Sequence, residues 1–190
     1  MKNTAFIIKL ALILFAIAFV CTFILVLCNH VTSPVISENA KIAEEQARVT
    51  VLPSAESFEK AELDSPGVTE SYIGKDKNDN TAGYCFKIST KENTNKAFGG
   101  EILMIVGIDN NLNVTGVEIT SMAETPGLGA KAGEAEFKNQ FVGMTGEITV
   151  KTGDNAIKAI SGATITSKAV TEGINNAIKA AEVLKGKEGK

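Results

Sequence analysis

The chain has no tryptophan, two tyrosines, one histidine and three cysteines in its 190 residues. Each scarcity removes a class of chemistry. With His30 as the sole histidine, neither a His-based metal site nor a histidine-dependent nucleophilic triad can be assembled from this chain. Three cysteines make no disulfide framework. Cys21 and Cys28 stand in an apolar run, where cysteine acts as a small packing residue, and only Cys85 belongs to the polar remainder. Arginine is nearly absent too: Arg48 stands alone and the formal net charge is −3. Phosphate backbones need clustered Lys and Arg, so nucleic acid is excluded as a partner.

One feature is abundant, a long apolar run near the start. From Leu10 to Cys28 no residue is charged, and at about 1.5 Å per residue a helix of that length covers roughly 28 Å, enough to cross a bilayer and contact its lipid. Lys2 and Lys9 precede the run, whereas Glu38, Glu44 and Glu45 follow it. That asymmetry favours a cytoplasmic N-terminus and places the rest of the chain outside the cytoplasm. A cleaved signal peptide is the competing reading, but the run exceeds a signal core of about 7 to 15 residues and no small-x-small site follows it. The expected organisation is an anchor over residues 1–30, a juxtamembrane helix and linker over 31–53, and one domain over 54–190.

In the juxtamembrane segment, Ile36, Ala40, Ala43, Ala47 and Val51 recur at helical spacing up to Pro53. Beyond it, Tyr84–Ile88 has strand composition. Glu101–Ile108 and Val114–Thr120 read as two antiparallel strands joined by a turn at Asp109-Asn110-Asn111. A short helix is expected over Ala132–Phe141, a strand over Ile148–Lys151, a turn at Gly153-Asp154, and an amphipathic helix from Ser167 to about Lys185. Together these give an α+β domain, an antiparallel sheet with packed helices.

Ser161-Gly162-Ala163-Thr164-Ile165-Thr166-Ser167 leads directly into that last helix. Hydroxyls and a glycine before a helix N-terminus suit an anion, because backbone N–H groups and the macrodipole converge there. The same residues equally suit a plain helix cap. Upstream, Glu124-Thr125-Pro126-Gly127-Leu128-Gly129 combines a rigid proline with two glycines, as a tight turn or a close approach to a ligand would require.

These two segments, in this order, resemble the paired motifs of the FMN-binding domain family, S-G-A-T-x-T and E-T-P-G-x-G. The short length, the N-terminal span and Gly99-Gly100 before an apolar strand further resemble the G subunits of Rnf-type ion-translocating ferredoxin:NAD oxidoreductases. The resemblance implies FMN bound covalently, through its phosphate, to the hydroxyl of Thr166. It also implies a role as an electron relay within a translocase complex, with other membrane subunits as partners and a flavin transferase acting during maturation. Ser161, Gly162, Ala163, Thr164 and Ser167 would surround the phosphate, and Glu124, Thr125, Pro126, Gly127, Leu128 and Gly129 the ring, with Leu128 over its face and Thr125 at its polar edge. No catalytic acid-base pair, nucleophile or metal site is expected. Lys158 departs from the family, which often has an aspartate three residues before the motif serine. Two other readings remain at this point: a C-type subunit of a sodium-translocating NADH:quinone reductase, and a membrane-anchored binding or sensory domain without flavin.

Overall fold

The computed structural model describes residues 2–151, 153 and 155–188. Contacts divide it into two compact units, residues 1–42 and 43–190.

Helix α1, Lys2–Val51, supplies the first unit. Its large apolar side chains from Phe6 to Leu27 are exposed. With a window of mean hydropathy 3.1, it is the one helix among the described residues long and apolar enough to cross a membrane. The sequence pattern separates a span from a juxtamembrane helix, whereas α1 continues through Pro34. Proline removes one N–H and crowds the carbonyl four residues earlier. Helix-compatible residues on both sides nonetheless keep the two pieces in one element.

The last turns of α1 belong to the second unit. There β1 (Ser57–Ala61), β2 (Val68–Lys75), β3 (Thr81–Ser89), β4 (Leu103–Asp109) and β5 (Val114–Ser121) pair antiparallel in chain order. The β4–β5 hairpin forms at the expected place. The Asp109 carboxylate accepts the backbone N–H groups of Asn111 and Asn113 at 2.7 and 2.9 Å, and Leu112 takes the left-handed backbone at φ 66°. Strands β1 and β2 are absent from the sequence-based expectation.

The sheet is covered on both faces, which explains why the middle strands are buried almost throughout instead of alternating with solvent. Tyr84, Phe86, Ile88, Met104, Val106 and Ile108 face one layer, where they pack with helix α3 (Thr164–Glu188) through Val170, Ile174, Ala177 and Ile178. The alternate residues Cys85 and Ile105 face Ala47 and Val51 of α1. Gly107 lies directly beneath Val51, where a Cβ would collide with the Val51 carbonyl. Charged side chains ring this contact: Lys87 bridges to Glu44 at 2.6 Å, and the Arg48 guanidinium lies 4.5 Å from the Tyr72 ring centre. Burial pushes the Cys85 thiol up to about 12, so it is a packing residue without thiolate reactivity.

Between β5 and α3 the chain is mostly loop. The helix expected over 132–141 is divided into a 3-10 turn at Gly129–Gly133, a four-residue helix α2 (Ala135–Lys138) and a 3-10 turn at Asn139–Phe141. Phe137 and Phe141 anchor it edge to face at 5.4 Å. The expected strand over 148–151 is β6 (Thr149–Val150), paired in parallel with β7 (Ala156–Ile157). The turn expected at Gly153-Asp154 includes Asp154, which lies outside the described residues.

Candidate functional site

Two turns of the same design meet at the start of α3. In the first, Leu128 N–H donates to the Thr125 carbonyl at 3.1 Å, with Pro126 and Gly127 between them and Gly127 at φ 77°. In the second, Ala163 N–H donates to the Ile160 carbonyl at 3.0 Å, enclosing Ser161 and Gly162, the latter at φ 78°. A glycine with positive φ at the third turn position is the signature of a type II turn, and proline suits the second position. Leu128 Cδ2 sits 3.1 Å from where a Gly162 Cβ would be, so the two turns are in side-chain contact.

Helix α3 begins at Thr164, three residues earlier than its hydrophobic pattern suggests. Its first intrahelical bond runs from Ser167 N–H to the Ala163 carbonyl at 3.0 Å. The amides of Thr164, Ile165 and Thr166 precede that bond and form the donor-rich end of the helix. Thr166, the third helical residue, is buried. Its hydroxyl donates to Glu124 Oε2 at 3.0 Å, and Glu124 Oε1 accepts the Gly99 N–H at 2.8 Å. One carboxylate thus joins three segments far apart in sequence. Gly129 leaves room for the pair: a Cβ there would collide with the Glu124 carboxylate and come within 2.9 Å of Thr166 Oγ1.

Around this contact lies a cavity of about 340 Å³, lined by Glu124, Thr125, Leu128, Gly129, Gly162, Ala163, Thr164 and Thr166, with Phe98 and Ile165 added to them. The volume falls within the usual range of ligand pockets, roughly 300–1,000 Å³. Most of the expected site residues therefore converge. Pro126 and Gly127 form the outer side of their turn, and Ser161 opens instead onto a neighbouring cleft with Lys151 and Lys158. Lys158 accordingly stands across the Ser161–Gly162 turn from the Thr166 cavity. Ser167 takes a different position from the one expected. It is fully buried, accepts the Ile160 N–H at 3.0 Å and donates to the Ala163 carbonyl at 2.9 Å, so it closes the turn onto the helix and does not face the cavity.

Phe98 and Ile165 are not among the residues expected from sequence. Both are exposed, at 75% and 55%, and with Leu128 at 45% they give the cavity an apolar rim. The only sequence signal for Phe98 is the Gly99-Gly100 pair beside it. Its segment is fixed to α3 by hydrogen bonds that sequence does not reveal. The buried Asn93 donates to the Ala169 carbonyl at 3.0 Å, and Glu172 accepts the N–H groups of Thr94 and Asn95 at 2.6 and 2.8 Å.

These residues fit an FMN. The apolar rim offers flat surface for a ring, the first turn of α3 offers amides for a phosphate, and the glycine contacts leave the backbone close to both.

Residues 98–179 match the family model of the FMN-binding domain, and residues 1–51 match that of the RnfG N-terminal region. The chain is 37% identical to the G subunit of the Na(+)-translocating ferredoxin:NAD(+) oxidoreductase complex of Acetobacterium woodii, over 90% of this chain and 89% of that protein. It is 30% identical to the G subunit of the proton-translocating ferredoxin:NAD(+) oxidoreductase complex of Clostridium ljungdahlii, over 88% of each. Among solved structures, NqrC from Shewanella oneidensis superposes with a TM-score of 0.50 over 75% of this chain and 74% of that one, at 16% identity, a likeness of fold alone.

Proposed function

Because the chain belongs to the family of G subunits of ion-translocating ferredoxin:NAD+ oxidoreductase (Rnf) complexes, we propose that it relays electrons through an FMN joined by its phosphate to Thr166. The domain would be held at the extracytoplasmic face of the membrane by α1. Such a protein works beside the other membrane subunits of its complex and receives its flavin from a flavin transferase. Lys9 before the apolar run and Glu38, Glu44 and Glu45 after it support the orientation.

The observation that carries the covalent reading is the place of Thr166, which lines the cavity at the donor-rich end of α3. The amides of Thr164, Ile165 and Thr166, free of an earlier helical turn, would hold a phosphate ester at its hydroxyl oxygen and offset its charge without a lysine or arginine. Phe98, Leu128 and Ile165 exclude water from the ring, and Thr125 supplies a polar partner at the rim. When bound, FMN supplies the one- and two-electron chemistry, so the protein's work is to hold and insulate it. A covalent tether also prevents loss of the cofactor to the outside medium.

Thr166→Ala tests the reading. The wild-type chain, produced with a flavin transferase, gives a fluorescent band on a denaturing gel and a mass increment of one FMN less a water; Thr166→Ala gives neither, and Thr166→Ser keeps both. A Thr166→Ala chain that still gains the increment refutes attachment at this residue.

A further inference from the structure

One neighbour of Thr166 ill suits a bound phosphate. Glu124 is 8% exposed, and its carboxylate lies against the very oxygen that would carry the phosphorus. Two anions in contact inside a buried site repel each other strongly. The site is nevertheless built around this contact. Gly129 exists without a Cβ where one would strike the Glu124 carboxylate, and at Gly99 a Cβ would lie 2.9 Å from Glu124 Cα. The Gly99 N–H fixes Oε1, which leaves Oε2 aimed at the Thr166 hydroxyl. A carboxylate serving as a helix cap would take backbone N–H groups of the first turn. Glu124 takes the side-chain hydroxyl of the third residue instead.

A threonine hydroxyl is a weak nucleophile until an adjacent base removes its proton, and the base must lie within hydrogen-bond reach. We infer that Glu124 is that base in the attachment of flavin to Thr166, an inference that rests on the covalent reading above. Thr166 Oγ1 bonds to the flavin-side phosphorus of a flavin dinucleotide supplied by the transferase. The pyrophosphate P–O bond breaks, the nucleoside monophosphate leaves with its electron pair, and the proton of Oγ1 passes to Glu124 Oε2. Nothing is oxidised or reduced. Acceptor and base thus belong to one chain.

The test is the rate of mass increase of the purified full chain, mixed with excess flavin transferase and flavin adenine dinucleotide. Glu124→Gln keeps the size of the side chain and can still accept the Gly99 N–H, but it turns an amide donor toward the Thr166 hydroxyl and accepts no proton. It is expected to load about a hundredfold or more slowly, with a thermal melt like that of the wild type, whereas Glu124→Asp, with a shorter arm, loads at an intermediate rate. Loading of Glu124→Gln at the wild-type rate overturns the inference. Where Glu124→Gln does not melt cooperatively, Glu124→Asp decides: slowed loading with an unchanged melt supports the inference, and wild-type loading overturns it. Thr166→Ala run in parallel separates the two claims. Mass gained by Thr166→Ala sinks the covalent reading itself, whereas normal loading of Glu124→Gln beside an unloaded Thr166→Ala sinks the role of Glu124 alone.

Discussion

Glu172 carries out at residue scale what makes the cavity wall permanent. Burial raises its pKa, but the hydrogen bonds from Asn95 and Thr94 outweigh that effect and hold it below the ordinary carboxylate value. A depressed folded-state pKa contributes stability that is present above the unfolded value and is lost as pH falls through the folded one. Glu172→Gln is therefore expected to lower the melting temperature near neutral pH, by a destabilisation of about 1 kcal/mol. Between about pH 6 and pH 3 it should lose less further stability than the wild type does, since it has no proton to bind. Melting curves across that range check the sign; a parallel decline in both proteins would remove Glu172 from the acid transition. The variant acts on the segment that presents Phe98, so the spectrum of attached flavin reads the same displacement independently.

At the scale of elements, the junction of the Ile160–Ala163 turn with α3 decides where the site lies. Hydrophobic periodicity marks the body of α3 correctly, because Val170, Ile174, Ala177, Ile178, Ala181 and Leu184 all enter the core. It does not mark the start, since Thr164, Ile165 and Thr166 are split between cavity, solvent and Glu124 and carry no periodic signal. Ser167 settles the junction with one hydroxyl that serves two backbone groups. Ser167→Ala leaves the Ile160 N–H unpaired in a buried place and is expected to cost about 1–3 kcal/mol. Flavin should still attach to Thr166, because Ser167 does not line the cavity. Loss of attachment in a variant that melts cooperatively would mean that Ser167 belongs to the site after all. A hydroxyl-rich string reads as uniform in sequence, yet Thr166 borders the cavity and Ser167 holds up the turn.

At the scale of the whole molecule, the sheet needs a cover on each face, and the two covers come from opposite ends of the chain. Val51 and Ala47 shield Cys85 and Ile105, while α3 shields the larger layer. A chain beginning at Ala43 keeps both covers and is expected to fold cooperatively and accept flavin without detergent. A chain beginning at Pro53 loses the α1 cover and should melt at a lower temperature, since each large apolar side chain left exposed forfeits about 1.5–3 kcal/mol. Equal melting temperatures of the two truncations would show that the last turns of α1 contribute nothing to the domain. The sequence by itself determined the long apolar N-terminal helix, the β4–β5 hairpin, the α+β class and the paired motifs, because apolar run length, turn residues and glycine placement act locally. It did not yield β1 and β2, whose mixed polar and apolar residues lie half-exposed at the edge of the sheet and carry no clear alternation, nor the continuity of α1 through Pro34. Tertiary structure alone decided that Glu124 meets Thr166 and that Phe98 borders their cavity. Those contacts join segments that nothing local links, and they exist only because the sheet and α3 bring the three together.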